Sequence, residues 1–70
     1  MSDKKNQAAI SRIRTMLLSI KESEKNLSYL LDTFERNPNK YKPQLENIES
    51  EAIEMGTNIR VILRTVDELK

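Results

Sequence analysis

The sequence predicts an all-α fold: an antiparallel helical hairpin of two long helices that dimerises into a four-helix bundle. Three observations lead there. Apolar residues keep a three-four spacing through both halves of the 70-residue chain, both prolines sit near its middle, and the two apolar series come into register when the chain folds back there. Seventy residues make one domain, 1–70. A chain this short hides a smaller share of its surface than a larger one, so a second copy or another protein commonly completes its core.

The first helix is expected over about residues 5–36. Positions 10, 13, 17, 20, 24, 27, 31 and 34 read Ile10, Ile13, Leu17, Ile20, Glu24, Leu27, Leu31 and Phe34, seven of the eight apolar. Steps of three and four sustained over four heptads belong to a helix that lays a narrow seam against another helix. A strand would need alternation by two.

The connector is expected over about residues 37–42, inside the stretch FERNPNKYKPQL at 34–45. A proline inside a helix removes a hydrogen bond and clashes with the preceding turn at a cost of about 3 kcal/mol, and it pushes the residue before it out of the helical region. Asn37 and Pro38 read as a helix stop, asparagine being tolerated in the left-handed conformation that ends many helices. Pro43 suits the first turn of the next helix.

The second helix is expected over about residues 43–69, with Leu45, Ile48, Ala52, Met55, Ile59, Ile62, Val66 and Leu69 at the same spacing, all eight apolar. An antiparallel fold-back sets Phe34 against Leu45, Leu31 against Ile48, Leu27 against Ala52 and Glu24 against Met55, and continues to Ile10 with Leu69. Each pair of numbers totals 79, which centres the turn between Asn39 and Lys40, inside the proline-fenced stretch. The length is ordinary for an αα-hairpin connector. Helices of roughly 28 residues extend about 40 Å at 1.5 Å per residue. A single hairpin leaves one side of so long a seam in water, and a second hairpin covers it.

Composition narrows the function. Cysteine and histidine are both absent, which removes disulfides, thiolate or imidazole metal sites and the usual nucleophile and base pairs. The expectation is no enzyme, no cofactor, no metal and no small-molecule substrate. The longest apolar runs are short, such as MLL at 16–18, and MSDKKNQAA has no apolar secretory core, so a cytoplasmic protein without membrane contact is expected. Lysine plus arginine number 12 against 11 acidic residues, a formal charge of +1 that favours neither nucleic acid nor membrane.

Three departures from the seam carry the functional reading. Glu24 stands at a seam position mid-helix. Its carboxylate either turns to water near Lys21 or Lys25, or sets register as buried polar residues do in coiled coils, or meets a basic group on a partner. Ala52 and Gly56 lie one turn apart, and an interior glycine costs about 1 kcal/mol relative to alanine, which hints at a close approach. Off the seam, Leu18, Ile53 and Leu63 read as one flank, framed by Arg14, Lys21, Lys25 and Arg60, with Ala9, Met16 and Leu30 on the other. Aliphatic residues framed by cations suit an acidic, amphipathic partner segment, so Arg14, Leu18, Lys21, Ile53, Arg60 and Leu63 are the candidate partner-binding residues.

Charge also divides along the hairpin. Counting the termini, the open end holds Lys4, Lys5, Arg12, Arg14, Arg60, Arg64 and Lys70 against Asp3, Asp67 and Glu68, a net +4. The loop end holds Lys21, Lys25, Arg36, Lys40 and Lys42 against Glu22, Glu24, Asp32, Glu35, Glu46, Glu49, Glu51 and Glu54, a net −3. The split favours an antiparallel dimer.

The expected function is a small non-enzymatic protein-protein interaction module, a regulator or adaptor acting as a homodimer, with itself and another protein as partners. Two alternatives rest on resemblance. In overall plan the chain resembles the Rop family of plasmid copy-number regulators, short hairpins that dimerise, which implies RNA binding, here through Arg12, Arg14, Arg60 and Arg64; the near-neutral charge and the three aromatic residues count against it. The stretch ERNPNKYKPQL resembles the proline-marked turn of type III secretion needle subunits, and the small chaperones of those systems share the chain's size, which implies a component of a secretion apparatus. The likeness covers about a dozen residues, and the tryptophan of a needle subunit's start is missing.

Overall fold

The computed structural model describes residues 2–40 and 43–70, with side chains from residue 4 onward. Two helices, α1 over Ser2–Arg36 and α2 over Gln44–Leu69, pack against each other as a hairpin. α1 starts ahead of the expected residue 5 because nothing between there and Arg36 breaks a helix: the first proline is Pro38 and the one glycine lies in α2. The chain is a rod 57 Å long and 14 by 12 Å across.

The turn uses different chemistry from the one expected. No described residue has a positive φ, so Asn37 does not end α1 in the left-handed conformation. Pro38 accounts for this, since a residue before proline is driven toward extended backbone. The Asn37 amide continues the helical pattern by donating to the Thr33 carbonyl at 3.3 Å, and its side-chain Oδ1 accepts from the Lys40 amide at 3.4 Å, closing the turn over residues 38–40. Pro43 stands just before α2 with φ −61° and ψ −18°, already helical, so α2 begins without a side-chain cap. Positions 41 and 42 of the expected loop lie outside the described residues.

The register agrees with the pairing read from the sequence. Arg12 donates to Glu68 at 3.4 Å and Asn26 donates to Glu51 at 3.3 Å, cross-helix pairs whose numbers total 80 and 77 around the expected 79. The rotation of each helix differs. Heptad spacing puts positions 9, 16, 23 and 30 on one line along α1, and these are the residues that turn toward α2: Ala9 and Ser23 are buried, Met16 and Leu30 half-buried. Their counterparts on α2 are Gln44, Glu51 and Asn58, half-buried, and Thr65, only 1 % exposed. Ala9, Met16 and Leu30 therefore do not form an outer flank; they form the contact between the helices.

That contact is closed by small side chains. Among the described residues Ala9 is the one buried hydrophobic residue, beside Ser23, Thr33 and Thr65. Both threonine hydroxyls are satisfied one turn back in their own helix, Thr33 donating to the Tyr29 carbonyl at 2.9 Å and Thr65 to the Val61 carbonyl at 2.7 Å. A hydroxyl so satisfied is buried without an orphaned donor, and the branched side chain is short enough to let the helix backbones come close. Replacement of Thr65 separates volume from polarity. Thr65→Val keeps the shape, leaves the Val61 carbonyl its helical partner, and changes stability by less than about 1 kcal/mol. Thr65→Leu overfills the contact and costs about 1–3 kcal/mol in urea unfolding; equal midpoints for the two variants would show that this contact is not tightly packed.

Candidate interaction face

The position of the large aliphatic residues follows from the rotation. Residues at 13, 20, 27 and 34 in α1 and at 48, 55 and 62 in α2 share the hairpin contact and are half-buried. The other half of the seam, at 10, 17, 24 and 31 and at 45, 52, 59 and 66, lies one residue beyond the line of Ala9 and Thr65, about a quarter-turn from it at 100° per residue. Two antiparallel helices related by a two-fold axis normal to the hairpin carry that quarter-turn to the same side. Ile10, Leu17, Leu31, Leu45, Ile59 and Val66 therefore stand in water along one face, at 38–52 % exposure, with Leu69 at its end. We call this the front face.

The back face is polar. There Arg12 and Glu68 form an ion pair with both side chains half-exposed, and the amide of Asn26 reaches Glu51. Exposed pairs of this kind contribute up to about 1 kcal/mol each and act here as a clasp across the helices. The hairpin is amphipathic as a unit.

The departures from the seam can now be located. Glu24 is exposed on the front face and, among the described residues, carries no ion pair. It lines one shallow groove with Lys21 and Lys25 and a more apolar one with Arg14, Leu17, Leu18, Ile20 and Lys21, so the expected basic neighbours are present without bonding it. Ala52 is exposed one turn from Gly56, and a Cβ built on Gly56 meets nothing within 4 Å. Whatever close approach the glycine serves, it is not made within the hairpin.

The six candidate partner-binding residues are all exposed, Leu18, Ile53 and Leu63 at 61–67 %. They do not form one patch. Arg14, Leu18 and Lys21 share the groove on α1, whereas Ile53, Arg60 and Leu63 belong to α2. Matching flanks of antiparallel helices point to opposite outer edges of a hairpin, which the heptad positions alone do not reveal. The arginines are scattered for the same reason: Arg12 is held by Glu68 on the back, while Arg14 and Arg60 lie toward the two outer edges.

Among the described residues no helix is long and apolar enough to cross a membrane, and no three acidic side chains gather into a metal site. No protein-family model, curated protein or solved structure matches the chain.

Sequence reasoning found both halves of the seam but missed the line through Ala9, Ser23 and Thr65. Spacing carries little signal for it, since Met16 and Leu30 alternate with Ala9 and Ser23, and Gln44, Glu51 and Asn58 precede Thr65 on the matching line of α2. The geometry of Glu24 yields a measurement. Its carboxylate gives up the burial available to a leucine on the same line, on the order of 1.5–3 kcal/mol when complete, and receives no internal bond in return. Glu24→Leu accordingly raises the melting temperature, and a fall in scanning calorimetry would mean that the carboxylate is bonded, either inside the hairpin or by a second molecule.

Proposed function

We propose that the chain is a non-enzymatic protein-protein interaction module, a regulator or adaptor in the cytoplasm, that acts as a homodimer of hairpins packed front face to front face in a four-helix bundle. The observation that carries this reading is the uncovered front face. The hairpin exposes 5822 Å². A compact monomer of its 8.2 kDa exposes about 4,500 Å², so the excess is roughly 1,300 Å² per chain. Covering that excess on two copies removes about 2,600 Å² from water, the size of an obligate homodimer interface and well above the roughly 1,600 Å² of a standard complex. Apolar residues dominate the face, and one of them recurs at almost every turn for the length of both helices.

The non-enzymatic part rests on the sequence, which supplies carboxylates, amines and hydroxyls but no imidazole or thiol. The adaptor part rests on what a front-to-front dimer leaves in solvent. On the outer edge of α1 the exposed Leu18 stands with Arg14, an aliphatic side chain beside a cation, and suits an acidic amphipathic segment of another protein.

Light scattering on the purified chain tests the dimer. The expected mass is twice 8.2 kDa at tens of micromolar, and charges placed at the centre of the face, as Leu17→Glu with Ile59→Glu, reduce it to one chain. A monomeric wild-type mass accompanied by cooperative melting would overturn the proposal.

A further inference from the structure

We infer that the second copy docks antiparallel, about a two-fold axis crossing the front face at the layer of Glu22 and Thr57, so that α1 faces α1, α2 faces α2, and each Glu24 meets the other copy's Lys21. This rests on the homodimer reading and adds its orientation, its axis and the residues that meet. Area requires overlap along the whole seam, because only full-length coverage removes an excess of this size. Charge then selects between the two full-length arrangements. Parallel docking puts the two positive open ends together and the two negative loop ends together; antiparallel docking sets each end beside its opposite.

The position of the axis follows from the layers. They run from Ile10 with Leu69 to Phe34 with Leu45, and their midpoint falls at residue 22 of α1 and 57 of α2. Turning one hairpin about that midpoint brings its Glu24 to the height of Ile20 in the other, about 1.5 Å along the axis from Lys21. The relation is reciprocal. Two glutamates without an ion pair in their own hairpins each gain a lysine, giving a four-residue charge cluster of alternating sign at the centre of the dimer. On α2 the same rotation brings Ile53 to within two residues of the height of the other copy's Leu63, along one outer groove. Gly56, one residue from the midpoint, has open space over its missing side chain, on the line where the second α2 passes.

Orientation and pairing are measured separately. The chain has no cysteine, so Lys5→Cys carries a single spin label near the open end. In the antiparallel dimer the two labels are about 50 Å apart, and in the parallel one less than about 25 Å. Charge reversal tests the pairing. Glu24→Lys alone and Lys21→Glu alone each raise the dimer dissociation constant about tenfold, since each sets like charges together. The double exchange restores it to within a few-fold of wild type. A short label distance in a particle of dimeric mass overturns the orientation and leaves the homodimer standing. A long distance without rescue by the double exchange overturns the Glu24 to Lys21 contact. A monomeric wild type removes the homodimer itself, and this inference with it.

Discussion

The contact on which the rest of the structure depends is the line along which α1 meets α2, where the buried side chains are small. Ala9, Ser23, Thr33 and Thr65 fill it, and they are the residues the hairpin buries best. Helix packing needs little more than shape here. The hydroxyls of both threonines are bonded inside their own helices, so neither asks the opposite helix for a partner. With this line turned inward, the three-four seam is split lengthwise: one half leans into the contact and the other is swung about a quarter-turn into solvent. An isoleucine or leucine line rotated fully inward would have set the helices farther apart and left neither face distinctly apolar.

Two faces of opposite character follow. The back is clasped by Arg12 with Glu68 and by Asn26 with Glu51, contacts that hold register at little energetic gain because they stay wet. The front collects the aliphatic residues whose burial is the main favourable term available to so small a chain. By the same scaling that gives the surface of a compact monomer, the hairpin hides only about half of what its extended chain exposes, where small domains usually hide about 60 %. Rod shape is the cause: at 57 Å by 14 Å by 12 Å there is no interior deeper than one side chain.

Much of this was legible in the sequence. The two helices, the connector between the prolines and the register within a residue or two were all implied by spacing and turn chemistry. What spacing could not decide was which of two neighbouring lines faces the partner helix. Ile10, Leu17 and Leu31 lie one residue beyond Ala9, Met16 and Leu30, so both lines have the same period, and the more hydrophobic one reads as the core. Here the line through Ala9, Met16, Ser23 and Leu30 faces α2, and the more hydrophobic line is left exposed. The same limit hid the separation of Leu18 from Ile53 and Leu63. A heptad position gives a direction about its own helix, and antiparallel folding points equal directions on two helices to opposite edges. Asn37 shows a conflict of local rules, where the constraint imposed by Pro38 prevails over the tolerance of asparagine for left-handed backbone.

In the proposed homodimer, the polar break in the front face exchanges strength for a choice of arrangement. Burial of aliphatic surface is non-directional, so a front face of eight apolar layers would accept a second copy in either orientation with nearly equal gain. A single charged layer removes that degeneracy, since it is tolerable only where a cation of the second copy arrives beside it, as the lone polar residue in a coiled-coil core is tolerable only in one register. Glu24 stands two residues from the midpoint of the layers, and Lys21 one residue on the other side. A two-fold axis between two such positions pairs unlike charges twice, whereas an axis along the rod sets each Glu24 level with the other copy's Met55 and beside Gly56, which offer no cation. Position along the seam thus matters as much as polarity: the same carboxylate at either end would fray into water under both arrangements and discriminate between neither.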